Sequence, residues 1–147
     1  MKIVLQRVSK ASVVVDNKMI ADVAKGFLIL FCAEIDDKEE DAKYLASKII
    51  KMRIFSDEQD KMNLSIKDVG GQILAVSQFT LSADWRRGNR PSFSKAEKPE
   101  RGNDLYNKFC SYLEEEGIEV QKGIFGAKME VELLNDGPVT IIMDSKN

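Results

Sequence analysis

Histidine is missing from this chain of 147 residues. Its absence excludes Ser-His-Asp triads, Cys-His dyads and every histidine-ligated metal site. Cysteine is scarce as well. Cys32 and Cys110 are the only two; both lie in apolar runs without CxxC spacing, so they read as reduced core thiols rather than zinc ligands. No run approaches the ~20 apolar residues of a membrane span. The first residues, Met1-Lys2-Ile3-Val4-Leu5-Gln6-Arg7, alternate like a strand and lack a signal-peptide core or cleavage site. A cytoplasmic protein is expected, without metal, cofactor or membrane contact. Its chemistry must come from hydroxyls, amides, carboxylates, backbone groups or the substrate itself.

What the chain does have is an ordinary globular composition, with 44% hydrophobic residues, 31% charged residues and a net charge of −2. That suffices for one domain, residues 1–147, with a real core. Lys2–Val8 and Ser12–Val15 read as strands, and Asp16-Asn17 turns the chain into Met19–Val23. Gly26–Ala33 is apolar on both faces and reads as a central strand. Glu34–Asp41 carries six acidic residues. A metal-binding carboxylate cluster is conceivable there, but Asp37 with Glu40 three positions on suits a helix start better. Leu45, Ile49 and Met52 then share a helical face, and the helix ends near Lys51 before a short strand around Arg53–Phe55.

Gln72–Leu81 reads as a second long strand. Ser82–Lys95 has neither helical nor strand period. A second helix starts at Pro99, buries Leu105, Phe109 and Leu113, and stops at Gly117. Ile118–Gln121, Met129–Leu134 and Val139–Met143 read as strands. Many strands and two helices without regular βαβ alternation predict an α+β fold, an antiparallel or mixed sheet rolled toward a β-barrel with two outer helices.

Two stretches carry chemistry. Ser77, Gln78, Phe79 and Thr80 put two hydroxyls, an amide and a ring at a strand end, either as ordinary polar termini or as hydrogen-bond donors of the oxyanion-hole kind. Thr80 as nucleophile would need a neighbouring base. Asn135-Asp136-Gly137-Pro138-Val139-Thr140 falls between two strand-like runs; it is either a hairpin turn or a cis Gly-Pro held by tertiary contacts. A third feature is basic. From Arg86 to Arg101 there are six basic residues, and Arg86, Arg87 and Arg90 are candidates for phosphate contacts unless they form only a solvated loop.

Across nearly its full length the chain resembles the D-aminoacyl-tRNA deacylases, also called D-tyrosyl-tRNA deacylases. The resemblance lies in Gln6-Arg7-Val8, Arg53-Ile54-Phe55-Ser56-Asp57, Lys61-Met62-Asn63-Leu64 and Arg90-Pro91-Ser92-Phe93. It lies above all in the two family signatures, Ser77-Gln78-Phe79-Thr80-Leu81 and Asn135 to Thr140. It implies a homodimer that hydrolyses the ester between a D-amino acid and tRNA, with Gly137-Pro138 cis and entering the partner's active site beside Ser77–Thr80. Phe125 and Met129 would line the pocket, and Arg7 would support the Gly-Pro loop. Trp85 beside Arg86-Arg87 departs from commoner family loops. The rivals are a small RNA-binding module without chemistry and a structural dimerisation domain.

Overall fold

The computed structural model describes residues 1–147. Its long first strand, β1 (Lys2–Val15), turns at Asp16-Asn17 into β2 (Lys18–Val23), followed by β3 (Gly26–Cys32). Both turn residues have positive φ, 50° and 62°, the backbone of the tight hairpin that the sequence predicts. Helix α1 (Glu39–Lys51) precedes a small hairpin, β4 (Phe55–Ser56) and β5 (Met62–Leu64). Next come β6 (Gln72–Ser77), a 3-10 turn (Phe79–Ser82), helix α2 (Pro99–Glu115), β7 (Glu119–Lys122) and β8 (Glu130–Asp144).

The large sheet runs β2-β1-β3-β6-β7, with β8 also paired to β1. One edge of β1 is shared, β3 taking Lys2–Val8 and β2 taking Ala11–Val15, while β8 follows the opposite edge. Pairing is antiparallel around β1 but parallel for β3–β6 and β6–β7. Those two parallel pairs need crossovers, which α1 and α2 supply. The sheet is therefore mixed and nearly closed into a barrel. Where β2 nears β6 and β7, glutamine side chains replace a ladder: Asp22 N–H donates to Gln121 Oε1 and Ala24 N–H to Gln72 Oε1, both at 2.8 Å.

The core has two layers. Ile3, Leu5, Phe27, Ile29 and Phe31 face the helices and meet Leu45 and Ile49 of α1 and Leu105, Phe109 and Leu113 of α2. Val8, Val13, Val23, Leu28, Leu74 and Val76 fill the inside of the roll. Strand β3 lies between these layers, which is why it is apolar on both faces.

Several boundaries differ from the sequence reading. Residues Ser9-Lys10 do not interrupt β1; they are exposed polar positions where β1 passes from one partner to the other. Asp37 does not cap α1. Its buried carboxylate pairs with the Met1 ammonium at 2.6 Å and accepts from Glu34 N–H at 2.7 Å. The helix starts two residues later, with Asp41 Oδ2 accepting from Lys38 N–H at 2.8 Å. The short strand is Phe55–Ser56 rather than Arg53–Phe55, and β6 ends at Ser77 rather than Leu81.

Of the two forms expected for Asn135–Thr140, the structure has the cis Gly-Pro held by tertiary contacts and not the hairpin turn. The flanks of this stretch do not form a hairpin, because both pair with the same strand. Asn135 lies opposite Val8 and Thr140 opposite Gln6. Asp136–Val139 is therefore a bulge facing Arg7 alone, and its Gly137–Pro138 peptide is cis.

Helix α2 is tied to the sheet by Tyr106, whose hydroxyl donates to Ala75 C=O at 2.6 Å inside the core. That carbonyl also accepts from Gly123 N–H at 3.0 Å, so removing the hydroxyl leaves it partnered. Tyr106→Phe should therefore cost about 0.5–1.5 kcal/mol, the net worth of one hydrogen bond, rather than the larger penalty of an orphaned acceptor. Urea unfolding checks this, with an unchanged m-value expected.

Candidate active site

Strands β3 and β6 end side by side, Phe31 opposite Ser77. The last rung is Gln78 N–H donating to Phe31 C=O at 2.7 Å, after which the chain folds into the 3-10 turn. The Phe79 and Thr80 amides begin that turn, so they have no acceptor within it, and no other carbonyl takes them. They remain available as donors. The Phe79 carbonyl is fixed instead, accepting from Ser82 Oγ at 2.8 Å and Cys32 Sγ at 3.5 Å.

Beside this turn opens a cavity of about 300 Å³. Ser77, Gln78, Phe79, Phe125 and Met129 all line it, so these five expected residues come together. Phe125 packs near the buried Tyr106, with ring centroids 6.1 Å apart, and over Gly102 of α2. Met129 sits where a side chain on Gly123 would be: a Cβ there would lie 2.6 Å from its sulfur.

Thr80 stands just outside the wall. Gln78 Nε2 donates to its Oγ1 at 2.6 Å, which occupies a lone pair and places no base beside the hydroxyl. Phe79 is 57% exposed at the mouth.

Among the wall residues that the sequence does not mark as site candidates are Cys32, Glu97 and Gly102. Gly102 could have been suspected as a glycine on the buried stripe of α2. The other two had no signal, since only the crossover brings them to the cavity. Cys32 and Glu97 are also its only ionisable side chains. Burial, with help from Glu34, pushes the Cys32 thiol from an ordinary 9.0 up to about 11, so it is neither base nor nucleophile near neutrality. Glu97 accepts from Lys98 N–H at 2.8 Å and lies 3.4 Å from Arg101. No three Cys, Asp or Glu side chains converge where a metal ion could sit.

Arg7, Gly137 and Pro138 lie elsewhere. Lys2 pairs with Cys32 at the cavity end of β1, and Arg7 is five residues further on, roughly 17 Å at the rise of a strand. Arg7 is only 8% exposed. It donates to Ile54 C=O at 2.6 Å and to Asp136 C=O at 3.1 Å, with the Asp136 carboxylate 3.4 Å away. The neck of the bulge is closed by Asn135, which accepts from Val139 N–H at 3.2 Å and donates to Thr140 Oγ1 at 3.1 Å. Gly137 and Pro138 project from this base, exposed. Arg86, Arg87 and Arg90 also stand apart from the cavity, on the exposed loop after the 3-10 turn.

Comparison with known proteins resolves the kinship. A model of the D-Tyr-tRNA(Tyr) deacylase family matches residues 4–144. The chain belongs to this family. A D-aminoacyl-tRNA deacylase of Flavobacterium psychrophilum is 58% identical over 148 residues, covering 100% of this chain and 99% of its own. One from Dictyoglomus turgidum is 56% identical over 147 residues, covering 100% and 94%. Among solved structures, the c-Myc DNA Unwinding Element Binding Protein superposes with a TM-score of 0.91 at 36% identity, covering 98% of each chain. A probable eukaryotic D-amino acid tRNA deacylase superposes with a TM-score of 0.81 at 18% identity over 97% of each, a likeness of fold.

The state of Cys32 gives a direct test of how closed this part of the cavity wall is. Because the folded thiol holds its proton, the stability this contributes is complete below about pH 9 and is lost as pH rises through about 11. Iodoacetamide at pH 8–9 should label Cys32 about a hundredfold more slowly in the folded protein than in urea, two pH units of lost thiolate. Mass spectrometry of the Cys32 peptide reads the rate.

Proposed function

We propose that residues 1–147 act as one domain, a D-aminoacyl-tRNA deacylase of the cytoplasm. It hydrolyses the ester joining a D-amino acid to tRNA, releases both, and spares L-aminoacyl-tRNA. The observation that carries this reading is family membership over almost the whole chain, with relatives of 58% and 56% identity bearing that name. The geometry supports it. Two free amides, of Phe79 and Thr80, stand at the mouth of a cavity whose wall includes Ser77, Phe125 and Met129. Amides so placed can stabilise the oxyanion of a tetrahedral intermediate. An aminoacyl ester is already activated, so positioning and an oxyanion hole suffice where no triad exists.

On this reading Thr80, engaged by Gln78, positions the ester rather than attacking it, and the attacking water is activated by the 2′-hydroxyl of the terminal ribose. Replacing that hydroxyl by hydrogen should therefore slow deacylation far more than Thr80→Ser does, by at least about tenfold in kcat. A covalent aminoacyl-Thr80 intermediate in rapid-quench mass spectrometry would refute this division of labour.

The chirality filter belongs to Gly137 and Pro138 of a second copy. The exposed bulge does not reach its own cavity, and β8, on which it stands, pairs only on its β1 side. That free edge exposes Leu134 and Ile142 at 50% and 79%, apolar surface that a second copy would cover. Backbone carbonyls of the bulge can accept from the α-amine, common to all amino acids, and leave no room where an L side chain would project. Glycine has nothing to clash, so glycyl-tRNA should leak through. Arg86, Arg87 and Arg90 supply phosphate contacts in a chain whose net charge would otherwise repel RNA.

A panel of D-, L- and glycyl-tRNAs tests the whole reading against the RNA-binding and dimerisation alternatives, since only the enzyme releases free D-amino acid. The informative variant is Gly137→Ala. Its Cβ would stand 2.8 Å from Val139 Cγ2 and 3.2 Å from an Arg7 nitrogen, at a φ of +130° that alanine avoids. The bulge must shift, and D-specific turnover should fall about tenfold or more. Wild-type turnover and unchanged refusal of L substrates would place the filter elsewhere.

A further inference from the structure

The loop after the 3-10 turn holds the chain's only tryptophan, and it is out in solvent. Trp85 is 70% exposed, the most exposed aromatic residue of the fold. A tryptophan offers a large apolar ring, worth most when buried, so one displayed on a loop tip marks a contact made outside the chain. The loop that displays it is braced. Asp84 and Ser92 exchange backbone hydrogen bonds at 2.8 and 2.9 Å, Arg86 N–H donates to Asp84 Oδ1 at 3.1 Å, and Gly88 makes the tip with a φ of +71°. The Arg86 guanidinium lies 5.3 Å from the Trp85 ring centroid and 3.6 Å from the Asp84 carboxylate. Arg87 and Arg90 have no carboxylate within ion-pair distance.

The surroundings decide what kind of partner fits. A protein partner would want an apolar patch with few charges at its centre. Trp85 instead shares the loop with three exposed arginines, and Pro91 is the only other exposed apolar side chain there. A double helix hides its base faces, leaving nothing for the ring to stack on. Single-stranded RNA offers both things the loop is built for, bare base faces for an aromatic ring and phosphates for arginine.

The loop's position then names the strand. Phe93, one residue beyond the Asp84–Ser92 clasp, packs edge-on against Phe79 with centroids 5.1 Å apart. Phe79 lines the cavity mouth, so the loop is anchored to the candidate active site itself. Trp85 is six positions beyond Phe79, a reach of at most about 20 Å. That spans a few stacked nucleotides, at about 3.4 Å each along one strand.

We propose that Trp85 is a stacking platform for the unpaired 3′ tail of tRNA, holding a base just upstream of the terminal nucleotide while Arg87 and Arg90 take the phosphates on either side. This inference rests on the deacylase reading and adds a binding subsite to it. It assigns Trp85 the grip on the tail and leaves the ester chemistry to the turn at Ser77–Thr80.

Since the chain has one tryptophan, its emission reports on Trp85 alone. An RNA hairpin carrying an unpaired 3′-CCA tail should quench it at concentrations at least about fivefold lower than the same hairpin made blunt. Equal quenching by both, or an emission that changes with protein concentration alone, overturns the proposal in favour of plain charge attraction or a second copy of the chain. Kinetics supply the second arm. Trp85→Ala should lower kcat/KM for D-aminoacyl-tRNA relative to the D-aminoacyl ester of free adenosine by about five- to a hundredfold. The loss should sit in KM, and Trp85→Tyr should restore most of it. An unmoved ratio, or equal falls on both substrates, overturns the proposal. If the wild type hydrolyses neither ester, the deacylase reading fails, and the quenching experiment still decides whether Trp85 stacks on the tail.

Discussion

The hydrogen bond from Gln78 N–H to Phe31 C=O is the rung at which the parallel β3–β6 pair stops. Everything at the candidate site follows from that stop. Parallel strands require crossovers, so the chain leaving β3 must climb into α1 and the chain leaving β6 must climb into α2. Both helices pack on one face of the sheet and against each other, so the crevice opens beyond the strand ends, where the chain leaving β6 makes its 3-10 turn before α2 begins. Here the crevice is lined by Cys32, α2 and the Phe125–Met129 segment, while the 3-10 turn leaves its first two amides without a protein acceptor.

A site made this way suits a chain without histidine. Its donors are backbone amides, which need no protonation state and cannot be titrated away. The two ionisable side chains of the wall are each restrained, the thiol by burial and Glu97 by the Lys98 amide and Arg101. What remains is a rigid, nearly neutral pocket. Such a pocket can bind charge developing in a transition state, because fixed dipoles there need not reorganise as they would in water. The substrate must then bring its own reactivity, as an aminoacyl ester does.

The sequence was legible where local pattern and tertiary role agree. The apolar run Gly26–Ala33, the α1 and α2 stripes and the Asp16-Asn17 turn all carry their reasons within a few residues. So did the composition of the site turn, though Gln72–Leu81 looked like one strand because its apolar residues continue past the last rung to Phe79 and Leu81. What was misread or left open shares another cause. Asp37 looks like a cap until the Met1 ammonium, distant in sequence, claims its carboxylate. Asn-Asp-Gly-Pro stays open between a hairpin and a cis peptide until both flanks are seen to follow β1. In each case a residue type with strong local habits was recruited by a long-range partner, which no window of a few residues contains.

The bulge is where that recruitment does most. Four residues stand opposite one, so ordinary pairing would leave Asp136–Val139 without ladder partners. The structure supplies substitutes from side chains: the Arg7 guanidinium for the Asp136 carbonyl, and the Asn135 amide for the Val139 N–H and the Thr140 hydroxyl. Arg7 is held at the same time by a second backbone carbonyl, that of Ile54. A buried guanidinium tied to two backbone carbonyls has little freedom to rotate, and neither has the loop it holds. The arrangement explains why polar residues flank the Gly-Pro pair. Asn135 and Thr140 staple the neck shut, so that the two residues between which no side-chain functional group exists are the ones thrust outward, presenting backbone alone.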